Sequence, residues 1–141
     1  MADRAATVIF KNYTDHILKK NGAGFRDEDG FWTWGQHENL VAPDYVPSIW
    51  KTPNGNMAPG SVGWRGENTK MDSAPVLGWA IYSLVDDEQT TININWESVS
   101  GSGNLLKIEV KGPKKDLFDT SASFTSDEKC CTQVVVIKLR T

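Results

Sequence analysis

Two segments of the chain alternate apolar and polar side chains without a break: Ile92-Asn93-Ile94-Asn95-Trp96-Glu97 and Leu106-Lys107-Ile108-Glu109-Val110-Lys111. A period of two puts every second side chain on one face of an extended strand, so each segment buries one face and wets the other. The inward sets are expected to be Ile92, Ile94, Trp96 and Leu106, Ile108, Val110. Half-wet strands of this kind belong to antiparallel sheet, because parallel sheets are covered on both faces.

The rest of the chain follows the same period. Thr7 to Lys11 reads as an opening strand, ended by Asn12-Tyr13-Thr14-Asp15, whose side chains bond their own backbone in turns. A second strand starts at Ile17-Leu18 and is expected to stop at Asn21-Gly22-Ala23-Gly24. Phe31-Trp32-Thr33-Trp34 is a third, aromatic strand, and Val76 to Val85 a long apolar one. Asp86-Asp87-Glu88 turns that strand into the Ile92 segment as a hairpin. Gln133 to Leu139 is a nearly continuous Val/Ile run, suited to a strand buried on both sides or in mid-sheet. Between Pro43 and Pro75 lie five of the six prolines, interrupted by short β-segments near Trp50 and Trp64. Lys114 to Phe118 has room for one helical turn, and no window makes an amphipathic helix. Many short strands with Gly/Pro-rich turns predict an all-β fold, a single-domain antiparallel β-sandwich over residues 1–141.

At 141 residues the chain can bury a core without disulfides or a metal. Its net charge of −3 and scattered Lys and Arg, with Lys19-Lys20 and Lys114-Lys115 beside turns, argue against nucleic acid as a partner. No stretch approaches the roughly 20 apolar residues of a membrane-spanning helix. The N-terminal residues Met1 to Thr7 contain no apolar run. The expectation is synthesis in the cytoplasm without a signal peptide, with later release to act at target membranes. Cys130 and Cys131 are adjacent, point to opposite faces of a strand, and are read as free thiols, with an intermolecular disulfide through the outward one as the alternative.

Catalytic chemistry is not legible. His16 sits in a turn beside Asp15 and His37 follows the aromatic strand; both read as solvated. There is no Gly-x-Ser-x-Gly elbow, no phosphate-cradling glycine loop and no zinc-ligand pair. Asp27-Glu28-Asp29 and Asp86-Asp87-Glu88 read as solvated turns, since consecutive acids diverge more often than they converge as a calcium site needs; weak calcium binding is the alternative. Asn12-Tyr13-Thr14 matches the glycosylation sequon, idle without a secretory route. No catalytic residue, metal or cofactor is therefore expected.

The six tryptophans say more. Trp96 is in phase with Ile92 and Ile94 and is assigned to the core, as is Trp79, which shares parity with Ile81. Trp32 and Trp34 share one face of their strand, and Trp50 and Trp64 lie in the Pro/Gly-rich stretch with Tyr45. Loop aromatics without a core period are candidates for ligand contact. Three ligands use such a set: a membrane interface, a carbohydrate that stacks on rings, or a protein partner that accepts Trp anchors. Asp44, Asn54 and Arg65 are the polar groups placed to read a headgroup or a sugar.

The order of features resembles the aegerolysin family of small β-sandwich proteins, which includes bacterial crystal-protein relatives. The resemblance runs through Ile9-Phe10-Lys11-Asn12-Tyr13-Thr14, Gly30-Phe31-Trp32, Ile49-Trp50, Asn54 to Trp64, Ile81-Tyr82 and Trp96 to Asn104, about residues 7 to 110. The chain departs from the family pattern at Trp96-Glu97-Ser98, where members often carry a Cys-Pro-Trp-Gly turn. The resemblance implies a toxin-like, hemolysin-like protein that recognises particular membrane lipids, often sphingolipids in sterol-rich membranes. It also implies, as for some members, a larger pore-forming protein partner. A lectin using the same aromatics is the alternative reading of those residues.

Overall fold

The computed structural model describes residues 4–26, 30–32, 41–68, 76–99, 103–124 and 130–140. In chain order the strands are β1 (Arg4–Asn12), β2 (Leu18–Phe25), β3 (Phe31–Trp32), β4 (Tyr45–Val46), β5 (Trp50–Lys51), β6 (Met57–Ala58), β7 (Gly60–Asn68), β8 (Val76–Leu84), β9 (Asp87–Val99), β10 (Gly103–Lys111), β11 (Phe118–Phe124) and β12 (Cys130–Leu139). One turn of 3-10 helix, Lys115–Leu117, leads into β11. Two five-stranded sheets form, ordered β11-β12-β1-β7-β3 and β10-β9-β8-β2-β4, and β5-β6 is a separate hairpin.

The alternation read from the sequence sets the core. Ile92, Ile94 and Trp96 of β9 and Leu106 of β10 are buried, and Ile108 and Val110 pack against them. They meet Val8 and Phe10 of β1, Val135 and Ile137 of β12 and Trp64 of β7. An aromatic seam joins the layers: Trp64 lies 5.7 Å from Trp96 and 6.3 Å from Tyr82, which in turn lies 5.6 Å from Phe10. The large indole of Trp96 fits because its cross-strand neighbour is Gly78; a Cβ there would stand 2.1 Å from Trp96 Cε2. Burial of this aromatic surface is the main favourable term for so small a sandwich.

Several expectations change. The antiparallel pairing holds among the described residues except between β1 and β12, which run parallel. The Val/Ile run of β12 does lie in mid-sheet, between β11 and β1. β2 does not end at Asn21 but runs on to Phe25 past a bulge between Lys20 and Gly22. The glycines there are strand residues under a ring: Cβ atoms at Gly22 and Gly24 would stand 3.1 and 3.3 Å from the Trp79 indole. Trp79 is thus on the outer face of its sheet and half-buried, not in the core, because Val76, Gly78, Ala80 and Tyr82 take the inward parity of β8. β11 has no counterpart in the sequence reading, since Asp-Thr-Ser-Ala-Ser carries almost no apolar signal. Thr33 and Trp34 of the predicted aromatic strand lie outside the described residues, as do Asp27-Glu28-Asp29 and His37.

Candidate functional site

One end of the sandwich is built around a buried asparagine. Asn12, the last residue of β1, is 0% exposed. Its Nδ2 donates to the carbonyls of His16 (2.8 Å) and Pro47 (2.9 Å). Its Oδ1 accepts from Thr14 N (2.9 Å) and Thr14 Oγ1 (2.7 Å). This satisfies the amide completely and clamps the β1–β2 loop to the segment before β5. The sequon match is therefore a structural corner, with no amide nitrogen free for a glycan. Ile49 N donates to Thr14 O and Tyr13 N to Ile137 O, which hangs the β5-β6 hairpin and the end of β12 on the same corner.

His16 is the second node. A histidine in a polar turn is expected to be solvated, yet the His16 side chain is only 19% exposed. Nδ1 lies 3.1 Å from Asp86 Oδ1, Nε2 lies 3.6 Å from Asp15 Oδ1, and the ring meets Phe118 edge to face at 5.8 Å. The hydrogen bond from His16, ahead of the charges of His16 and Lys114, holds the Asp86 carboxyl below the usual carboxylate range. Of Asp86-Asp87-Glu88 only Asp86 is in the turn, with Val85; Asp87 and Glu88 already belong to β9. Asp87 accepts from Gln89 N and Thr90 Oγ1, and among the described residues no group of three His, Cys, Asp or Glu could hold a metal.

The exposed large apolar side chains gather at this end. Tyr13 and Ile17 lie in the β1–β2 loop, Tyr45 in β4, Trp50 and Met57 in the hairpin, Val85 in the β8–β9 turn, and Leu117 and Leu139 beside Phe118. Val41, which precedes β4, is the remaining described exposed large apolar residue. Their clustering follows from topology: β1, β8, β10 and β12 end here, and β2, β7, β9 and β11 begin here. Trp50 is 50% exposed, and its ring is fixed across the hairpin by Nε1 donating to Pro59 O at 3.0 Å. Asn54 is exposed at the hairpin tip, where Gly55 adopts a φ of 87° and bonds back to Thr52 O.

The predicted contact residues divide accordingly. Tyr45, Trp50 and Asn54 lie at this end, with Asp44 beside Tyr45 on the sheet edge, 3.2 Å from Lys20 Nζ. Trp64 does not belong to the site. It is 0% exposed, because β7 pairs along its whole length with β1 and sends Val62, Trp64 and Gly66 inward. The glycines that suggested a loop serve close approach: a Cβ at Gly60 would stand 1.8 Å from Pro47 O. Arg65 points out from the middle of β7, 3.9 Å from Glu67 and away from the apolar end. Trp32 is half-buried, with its ring 4.7 Å from Phe25 and 6.0 Å from Trp96. It pairs with Gly66 near the opposite end, so it is not joined to Trp50. Trp34 lies outside the described residues. Sequence reasoning missed Ile17, Val85, Leu117 and Met57; the first three each stand beside a buried apolar neighbour at a strand end (Leu18, Leu84 and Phe118), so no local pattern marks which of the pair stays in water.

Beneath the edge, Tyr82 donates its hydroxyl to Pro43 O at 2.7 Å. Burial, and secondarily the Asp44 carboxylate, push its phenol well above its ordinary range, so it stays a neutral donor.

Fold and surface together define a two-layer β-sandwich that presents, among the described residues, a cluster of accessible apolar side chains at one end. No protein-family model matches the chain, and no curated protein matches it in sequence. Solved structures similar to it in fold include the lipid binding protein Nakanori, with a TM-score of 0.69 at 11% identity, over 97% of this chain and 71% of that one. RahU protein in complex with a TRIS molecule gives 0.62 at 8% identity, over 100% and 98%. IP-1A from Alcaligenes faecalis gives 0.55 at 13% identity, over 97% and 93%. The sandwich expected from the alternation and from the aegerolysin resemblance is the fold these proteins share.

Proposed function

We propose that this protein binds lipid membranes through the apolar end of the sandwich, as a recognition module and not as an enzyme. The observation that carries the reading is the gathering, among the described residues, of Tyr13, Ile17, Tyr45, Trp50, Met57 and Val85 in water at one end of the sandwich. Exposed aromatics held on a rigid scaffold suit the headgroup layer, where an amphipathic ring keeps its polar atom wet. The similarity in fold to a lipid binding protein supports the same reading.

With a net charge of −3, general attraction to anionic lipid is a poor basis for affinity. Recognition is therefore headgroup-specific, with Asp44 and Asn54 the polar groups beside the rings. The aegerolysin resemblance directs the choice of lipid to sphingolipid in sterol-containing membranes. It also directs attention to a pore-forming protein partner recruited after binding.

The test is tryptophan emission during titration with vesicles. Plain phosphatidylcholine is compared with phosphatidylcholine carrying sphingolipid and sterol, with free sugars as a control series. The expected result is a blue shift with the mixed vesicles only, lost in Trp50→Phe. No shift with any vesicle refutes the reading, and a shift with a free sugar instead moves the assignment to carbohydrate.

A further inference from the structure

His16 touches two other parts of the chain, at Asp86 and Phe118, and His16 and both contacts each adjoin an exposed aliphatic side chain. Ile17 follows His16, Val85 precedes Asp86, and Leu117 precedes Phe118; all three are exposed. Val85 N also donates to Ile17 O, so two of these tips are tied directly. Asp15, His16, Ile17, Val85 and Asp86 line an open cavity of about 210 Å³ between them. One imidazole thus lies beneath the apolar end and among its charges.

Those charges nearly cancel, and His16 decides whether they do. Asp15 comes from the same loop, Asp86 from the β8–β9 turn, and Lys114, from the β10–β11 link, acts on Asp86 by charge. Phe118 brings no charge, and Asp87 is turned to Gln89 and Thr90. Two carboxylates and one ammonium leave one net negative charge while the imidazole is neutral. An imidazolium cancels it. A net charge carried toward a low-dielectric interface loses hydration that a compact neutral cluster does not lose to the same extent. Histidine is the side chain whose ordinary titration falls between about pH 5 and 8.

We infer that His16 is a pH-dependent gate on this end: protonation of its ring neutralises the Asp15–Asp86–Lys114 cluster and lets the Ile17, Val85 and Leu117 tips enter a lipid interface in mild acid. The inference rests on the lipid-binding reading of the same end. It adds the condition under which that end engages.

Flotation with vesicles of phosphatidylcholine, sphingolipid and sterol, at about pH 5.5 and about pH 7.5, reads the gate across the histidine range. Wild-type protein is expected to bind on the order of tenfold tighter in acid, the worth of roughly one pK unit. His16→Gln is expected to lose that difference. Asp86→Asn removes the surplus negative charge; it is expected to bind at the higher pH as tightly as wild type does in acid, and to gain nothing further. The Asp86 side chain is 61% exposed, so this variant keeps the fold even where His16→Gln does not. The same acid-to-neutral ratio in wild type and in either variant overturns the gate. Retention on a phenyl matrix over the same two pH values reads the apolar end without lipid. Wild-type protein that floats with no vesicle at either pH overturns the lipid-binding reading alone. In that case a His16-dependent rise in phenyl retention in acid upholds the gate, and equal retention of wild type and variants overturns it.

Discussion

Trp50→Ala and Trp64→Ala separate surface from core in a way that the sequence could not. Both residues stand in the same Pro/Gly-rich stretch, and both are plausible ligand contacts on pattern alone. Trp64 is 0% exposed and packed between Trp96 and Tyr82, so truncation opens a cavity in the aromatic seam. The expected cost is about 4 kcal/mol, typical for a buried Trp→Ala. For a domain of this size that lowers Tm by roughly 10–15 °C. Trp50 is 50% exposed, and half of an indole side chain of about 250 Å² is roughly 125 Å². At about 25 cal/mol per Å² the full transfer of that area from water is worth ~3 kcal/mol, an upper limit near a hundredfold in Kd. Headgroup depth removes only part of the water, so about tenfold is expected for Trp50→Ala. Its stability cost is confined to the hairpin, mainly the exposed hydrogen bond to Pro59 O, about 1 kcal/mol. Vesicle flotation and thermal melts on both variants decide the matter. Trp50→Ala that binds mixed vesicles within twofold of wild type refutes the surface argument. Trp64→Ala that melts within about 2 °C of wild type refutes the core assignment.

Three further outcomes follow from the geometry. Gly78→Ala sets a Cβ 2.1 Å from Trp96, whose ring is hemmed in by Trp32, Trp64 and Phe25, so urea midpoints should show a loss of about 1–3 kcal/mol or more. Tyr82→Phe loses the bond to Pro43 O, about 1 kcal/mol at neutral pH. Because burial raises the Tyr82 phenol above its ordinary value of 10.0, its stabilising effect is complete below that pH and is lost as pH rises beyond it. The wild-type melting temperature should fall faster above about pH 10 than that of Tyr82→Phe. Asn12, expressed in a glycosylating host, should remain unmodified by mass spectrometry, and Asn12→Ala should cost about 2–4 kcal/mol because it strands the partners of four hydrogen bonds. Glycan on Asn12 in folded protein would contradict the buried corner.

Local chemistry on the chain determined the fold class. The alternation of Ile92 to Glu97 and Leu106 to Lys111 predicts half-buried antiparallel strands, and the same residues line the core. The hairpin at Asp86, the mid-sheet place of the Val/Ile run and the single helical turn before Phe118 were legible for the same reason. A period or a turn residue reports its own neighbourhood. β11 was not legible, because its polar sequence becomes a strand only by pairing with β12.

What decided the site was contact between residues far apart in sequence. Trp79 leaves the core and Trp64 enters it because parity is fixed by the partner strand: glycines of β2 leave room for one indole outside, and pairing with β1 turns the other inward. His16 reads as a lone turn residue until the fold brings Asp86, 70 positions away, to its ring. The sequence by itself determined which residues could be strands and which rings could bind. Only the tertiary structure decided which rings remain in water, because exposure depends on the far side of the sheet, and no local pattern records that.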